Sequence, residues 1–251
     1  MLKTRIIPTL LFNDLKLVKG KKFNSWRTVG EVVQAARLYN IRKVDELILL
    51  DISATNNKYK IDLDLVNEVA NECFMPLTFG GGINTMEDIS NLFRAGADKV
   101  SINTAALKDL SFVKEACNLF GGQSIVISID YRLINNEIVM FSNSGKVSSN
   151  INIFEYLKNI EQLGIGDILL TSIDMDGTME GYDYKTIIKI AEKTRIPIIA
   201  SGGAGKFEDI LKLLKKADIS GIAASSIYHF TGVTPVDLKK YLYSNNIPIR
   251  I

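Results

Sequence analysis

Short runs of aliphatic and β-branched residues recur along the chain. Each is about one strand long, and each is followed by a longer stretch with apolar positions three or four apart. The short runs predict strands over residues 5–11, 46–51, 76–80, 99–103, 124–130, 167–172, 197–201 and 220–224. The longer stretches predict amphipathic helices, among them 63–73, 153–163 and 187–194. Thr234-Pro235-Val236-Asp237 carries a helix-start signature: a capping hydroxyl, a first-turn proline and an acid three residues after the cap. Thr85 and Asp88 repeat the cap-and-acid spacing. Eight strand–helix alternations in 251 residues fit a (β/α)8 TIM barrel. The alternative is an open doubly wound sheet, but no GxGxxG follows the first strand to favour it. No linker or low-complexity break divides the chain.

The pattern repeats internally. "TFGGGI" at 78–83 is echoed by "ASGGAG" at 200–205, "ADKVSINTAA" at 97–106 by "ADISGIAASS" at 217–226, and "LILLDIS" at 47–53 by "ILLTSID" at 168–174. The offsets agree within a residue or two, which predicts one barrel domain made of two similar half-barrels, about 1–121 and 122–251. In that phase the first strand corresponds to the fifth, and Leu11 corresponds approximately to Asp130. Both fall at the strand C-terminal ends, the catalytic face of such barrels.

Composition narrows the chemistry. Hydrophobic residues make up 47% and charged residues 23%, enough for a folded core. A formal charge of +2 gives no reason to expect general affinity for nucleic acid or membranes. No apolar run reaches bilayer length, and neither a signal peptide nor a transmembrane segment is expected. Cys73 and Cys117 are far apart, outside any CxxC, and fall in predicted helices, so buried structural thiols in a reducing cytoplasm are expected. The single histidine, His229, leaves no His-rich metal site, and its position after a predicted strand suggests a structural role. No metal or cofactor is expected. Acid–base chemistry then rests on Asp, Glu, Lys or Tyr.

Gly80-Gly81-Gly82 and Gly202-Gly203-Ala204-Gly205 each follow a strand and lead into a helix. Such loops let backbone N–H groups approach a phosphate, and the following helix offers further N–H groups and its positive dipole end. Asn103, Thr104, Ser225 and Ser226 follow the next strands and can add side-chain donors. Glycines that merely make tight turns would read the same way. Two such loops, each paired with a polar turn, point to an elongated ligand with a phosphate at each end. Asp51, Asp130, Asp174 and Asp176 stand at or just beyond strand ends, with Asp130 the best acid–base candidate and Asp176, before Gly177, able to hold a ligand hydroxyl. For each acid, loop capping is the competing role. "KLVKGKKFNSWRTVG" after the first strand reads as a long loop, either a lid bringing Lys19 to an anion or plain solvated surface. At the opposite face Arg5, Glu46, Lys99 and Asp167 begin four strands and can pair in a ring, as a plug or as a gate.

The motifs "RII", "LVKG", "FGGGI", "GADKVSINTAA", "LLTSIDMDGT", "GYD" and "PIIASGGAGK" closely resemble HisF, the cyclase subunit of imidazole glycerol phosphate synthase, over essentially the whole chain. The resemblance implies a (β/α)8 barrel with two phosphate sites and a HisH-type glutaminase docked at the barrel bottom as a heterodimer. It also implies ammonia passing through the barrel to the active site. It assigns the gate to Arg5, Glu46, Lys99 and Asp167, where Asp167 replaces the usual Glu, and places Asp98 near the partner interface. It further implies substrate contacts from Lys19, Asp51, Gly81, Gly82, Asn103, Thr104, Ser172, Asp174, Asp176, Gly177, Ser201, Gly202, Gly203, Ala224 and Ser225. The cyclase uses two aspartates. Asp130 matches one; the other falls on Leu11, since the family's "ACLD" is "PTLL" here. That departure resembles a HisF-like branch found with a glutaminase and a sugar amidotransferase. There ammonia converts a sugar N-acetyl group to an acetamidino group in surface polysaccharide or nonulosonic acid pathways. Three readings follow: amidination, ordinary cyclase, and a non-catalytic scaffold that activates a glutaminase.

Overall fold

The computed structural model describes residues 3–14, 16–54 and 61–250. In chain order the strands are β1 (Arg5–Asn13), β2 (Lys16–Lys21), β3 (Asn24–Glu31), β4 (Leu47–Asp51), β5 (Leu77–Gly80), β6 (Lys99–Ile102), β7 (Ile125–Ile134), β8 (Glu137–Ser142), β9 (Val147–Ser148), β10 (Asp167–Ser172), β11 (Ile198–Ser201) and β12 (Gly221–Ala224). β1, β4, β5, β6, β7, β10, β11 and β12 pair in parallel, each with the next. β12 pairs back onto β1, Arg5 opposite Gly221, so the sheet closes. Helices connect successive strands, giving the (β/α)8 TIM barrel that the alternation predicts.

Closure sorts residues by parity. Ile7, Ile48, Val126, Leu169, Ile199 and Ala223 form a small cluster inside the barrel, with Leu50 packed against it. Alternate neighbours such as Ile6, Leu10, Phe12, Leu47, Leu49, Ile127 and Leu170 face the helices in the larger core. Each such fully buried aliphatic contributes roughly 1.5–3 kcal/mol. Both helix starts read from sequence are formed. Asp88 N donates to Thr85 Oγ1 at 3.0 Å while Thr85 N donates to Asp88 Oδ2 at 2.9 Å, and Thr234 with Asp237 does the same.

Several elements differ from the sequence expectation. The segment after the first strand is a β-hairpin, β2 paired antiparallel with both β1 and β3. Its turn uses Lys22 at φ 53° and Phe23 at φ 59°, positions where Asn or Gly normally signals such a turn. β7 runs on to Ile134 because its tail pairs with β8 through an Asn135–Asn136 turn. The helix expected over 187–194 spans Tyr184–Ala191, since the Asp183 side chain accepts from Thr186 N and starts it earlier. Cys73 caps the end of helix Leu63–Glu72, and Cys117 lies within helix Leu110–Phe120. Both are part-exposed, not the buried thiols expected.

The C-terminal helix Pro235–Ser244 is tied to the barrel by a buried ion pair. Lys239 Nζ meets Asp45 Oδ1 at 2.8 Å, and Asp45 Oδ2 accepts from Ile6 N at 2.8 Å. Removing one partner leaves a buried uncompensated charge. Lys239→Met is expected to cost roughly 3–5 kcal/mol in urea unfolding, and adding Asp45→Asn to restore most of it. Equal stability of Lys239→Met and wild type would refute this.

Candidate functional site

At the N-terminal ends of the barrel strands the four charges predicted there form a closed ring. Arg5 Nη1 donates to Glu46 Oε1 at 2.8 Å and Arg5 Nη2 to Asp167 Oδ1 at 2.6 Å. Lys99 Nζ lies 3.0 Å from Asp167 Oδ2 and 3.4 Å from Glu46. Ser220 supplies two more acceptors, its backbone oxygen to Arg5 Nε and its hydroxyl to Arg5 Nη2. Burial disfavours these charges, but hydrogen bonding and charge from Asp167 and Glu46 outweigh it at Arg5 and raise its pKa. At Asp167, Arg5 and Lys99 likewise outweigh burial and hold the carboxylate below its usual range. Asp98 is exposed on the same end, its Oδ2 accepting from Leu77 N at 2.8 Å.

A cavity opens at the other end of the barrel. Its wall includes Leu11, Lys19, Asp51, Gly81, Gly82, Asn103, Thr104, Asp130, Asp176, Gly177, Ser201, Gly202, Gly203, Ala224 and Ser225. These are the residues expected there except Ser172 and Asp174. Ser172 follows the inward-facing Thr171 on β10, so it faces outward and is buried behind the barrel. Asp174 lies in the loop beyond, 3.9 Å from Arg132 Nε, with its side chain 44% exposed. Thr9, Ser101, Ser128 and Thr171 also line the cavity and were missed, and Ser226, read from sequence as a possible donor, lines it as well. For Thr9, Ser101 and Ser128 the signal was parity: these inward strand positions are two residues from Leu11, Asn103 and Asp130.

The two glycine loops have matching geometry. Gly81 has φ 106° and Gly203 φ 109°. A Cβ at Gly81 would overlap the Asp51 carbonyl oxygen, and one at Gly203 the Gly181 carbonyl oxygen. Tight turns therefore account for these glycines, while the same loops form the cavity wall. Part of the N–H supply ahead of the long helices that follow is already used. Asp88 already accepts from Asn84 N and Thr85 N, and Asp209 from Gly205 N and Lys206 N. Further candidate donors lie at two short helices, Thr104–Lys108 and Ser226–Phe230, whose cap residues Asn103 and Ser225 make no side-chain capping bond.

Asp130 sits at the cavity floor, paired across strands with Thr171. Burial pushes its pKa up to about 7, with the charge of Asp176 adding and hydroxyls of Ser128 and Thr171 opposing. Such a group is suited to proton transfer near neutrality. Leu11 on β1 lines the same cavity, paired with Leu50. Asp51 caps its own turn, Oδ1 accepting from Ser53 N, Ser53 Oγ and Ala54 N. The hairpin is docked over the mouth: Lys19 Nζ meets Asp176 Oδ1 at 3.1 Å, and Lys22 N donates to Asp176 O at 2.8 Å. Lys19 is thus buried and paired with Asp176 in the cavity wall. His229 ends the short helix Ser226–Phe230, and burial with Lys19 and Arg42 nearby lowers its pKa to about 4, so it is neutral at pH 7.

A closed parallel barrel with a charged ring below and an acid-bearing, glycine-looped cavity above defines a TIM barrel with its ligand site at the strand C-terminal ends. The family model for histidine biosynthesis proteins matches residues 5–234. Proteins named imidazole glycerol phosphate synthase subunit HisF are similar along their whole length. Those of Hydrogenobaculum sp. (strain Y04AAS1) and Sulfolobus acidocaldarius are 43% identical, over 252 and 251 residues, and that of Bacillus cereus (strain Q1) is 40% identical over 252, with 100% of both chains covered each time. The chain belongs to the HisF family of histidine-biosynthesis proteins.

The Asp130 carboxyl is expected to titrate with a midpoint near 7 when followed by carboxyl-carbon NMR. Thr171→Val removes a hydrogen bond to the charged form and should move that midpoint up. A midpoint in the ordinary carboxylate range, or one unmoved by Thr171→Val, would contradict the role of burial and of the Thr171 hydroxyl.

Proposed function

We propose that this chain is the ammonia-receiving subunit of a two-part synthase. A HisH-type glutaminase docks on the ring end of the barrel, and a ligand with two phosphates spans the mouth. One observation carries the reading: the Arg5–Glu46–Lys99–Asp167 ring, the apolar layer of Ile7, Ile48, Val126, Leu169, Ile199 and Ala223, and the cavity with Asp130 follow one another inside a single barrel. Neutral ammonia crosses an apolar layer at far lower cost than a cation does. Docking at the ring end is supported by large apolar side chains near the C-terminal ends of the barrel helices: Ile41, Phe74, Leu119 and Tyr243 are 70%, 88%, 61% and 61% exposed. Asp98 shares that end. Gly81 and Gly82 with Asn103 and Thr104, and Gly202 and Gly203 with Ala224 and Ser225, would each take one phosphate.

For the acceptor, the relatives' names favour the cyclase reaction of imidazole glycerol phosphate synthase, a lyase of histidine biosynthesis, and the twin loops suit its doubly phosphorylated ribonucleotide. Leu11 favours a second reading. A leucine neither gives nor takes a proton, and losing one acid–base group costs ~10²–10⁴ in rate. On that reading the ammonia serves a sugar amidotransferase that forms acetamidino groups for surface polysaccharide or nonulosonic acids.

Given the histidine-pathway ribonucleotide and excess ammonium, Leu11→Asp is expected to form imidazole product ~10²–10⁴ faster than wild type. Full wild-type turnover at the variant's rate would remove Leu11 as an obstacle and, with it, the amidination reading. No product from either, with acetamidino sugar formed when glutaminase and sugar amidotransferase are added, would sink the cyclase reading. Separately, Phe74→Asp should weaken glutaminase binding at least about tenfold by calorimetry, as loss of a central aromatic anchor does. Unchanged affinity would exclude this face as the dock.

A further inference from the structure

We propose that Trp26 is a ligand-stacking residue, its indole taking the flat apolar face of a ring carried by the phosphorylated ligand. The inference rests on the phosphorylated-ligand reading above and adds a ring to that ligand. Trp26 is the only tryptophan of the chain. Among the described residues, Trp26 and Phe23 are the aromatic side chains on the cavity wall, and both belong to the β2–β3 hairpin and its turn. Both are half-buried. Neither joins or packs against a hydrophobic core cluster of the barrel, whereas Val29, on the same strand as Trp26, packs against the larger one. The indole therefore does not serve the core. Its apolar area is left to whatever fills the cavity.

The indole is held in place. A Cβ built on Gly20 would lie 2.8 Å from Trp26 Cε3 and 3.1 Å from Trp26 Cδ2, so the six-membered ring of the indole rests on a buried glycine. The hairpin is fixed to three other parts of the mouth. Lys19 and Lys22 N reach Asp176. Arg27 Cζ stands 4.0 Å from the centre of the Phe230 ring. Phe23 packs on Gly145, whose Cβ would lie 3.0 Å from Phe23 Cδ2. Lys22, Phe23 and Ser25 hold left-handed backbone at φ 53°, 59° and 55°, a region that non-glycine residues seldom occupy. The segment carrying the aromatics is thus specified and not slack. A side chain already fixed in place loses little freedom when a ring stacks on it. Planar heterocycles and sugar rings both present a face that an indole can cover, and the test separates them.

Because Trp26 is the single tryptophan, selectively excited fluorescence of the full chain reports on it alone. The probes are an aminoimidazole ribonucleotide, N-acetylglucosamine 1-phosphate and a ring-free alkanediol bisphosphate. Saturable quenching is expected from at least one of the first two, which names the ring, and none from the ring-free bisphosphate. In calorimetry, Trp26→Leu should bind the quenching probe roughly five- to hundredfold more weakly and the ring-free bisphosphate as wild type does. Trp26→Phe keeps an aromatic face and should recover most of the loss. Absence of quenching by both cyclic probes, equal quenching by the ring-free bisphosphate, or unchanged affinity in Trp26→Leu would overturn the stacking role. Equal loss of both ligands in Trp26→Leu would overturn it too, by assigning Trp26 to hairpin structure. The parent reading is scored by the ring-free bisphosphate on wild type. Failure of that probe to bind, with quenching by a cyclic probe intact, would refute the twin phosphate places and leave the stack standing.

Discussion

Pairing of β12 onto β1 is the constraint on which the rest depends. Once the sheet closes, every second residue of eight strands is forced onto one enclosed axis. β1 shows the consequence in four steps: Arg5, Ile7, Thr9 and Leu11 stack from one end of the barrel to the other. Charge lies at the base, aliphatic carbon in the middle, a hydroxyl above it and aliphatic carbon again at the mouth. β7 and β10 supply different chemistry at the corresponding heights, with Ser128, Asp130 and Thr171 on the cavity wall. The mouth therefore has an acid-and-hydroxyl side and an aliphatic side.

The same enclosure sets the electrostatics. Four charges at the base persist because each meets two opposite partners, which offsets the loss of water. Among the described residues Asp130 has no cation as a hydrogen-bond partner; Asn103 and Ser128 reach it at 3.4 Å each. Its proton is held more tightly for that reason, and because Asp176 adds a like charge. Lys19 pairs with Asp176 and not with Asp130, and by doing so it ties the hairpin to the loop beyond β10. Cavity chemistry and cavity cover are thus coupled through one carboxylate.

The two ends of the barrel were not equally legible from the chain. The four ring residues were readable because a charge beginning an apolar strand is conspicuous, and all four meet in the ring. The cavity was readable through its glycines and aspartates, less so through its small hydroxyl residues, which look the same inside or outside a strand. Ser172 was misplaced by one residue, and in a strand one residue reverses the face. The β2–β3 hairpin was read as a loop because Lys22 and Phe23 occupy left-handed turn positions without the usual Asn or Gly.

By itself the sequence determined the alternation of strands and helices, the helix caps at Thr85 and Thr234, and which residue types stand at strand ends. These are local properties, set by side-chain spacing and by hydrogen bonds within a few residues. Only the tertiary structure decided which loops close into one cavity wall and that Asp130 on β7 lies beside Thr171 on β10 there. It also decided that Lys19 faces Asp176 and that Leu11 pairs with Leu50 on the wall of the cavity that holds Asp130. Those relations join residues distant in sequence, and they exist only after closure has fixed strand register.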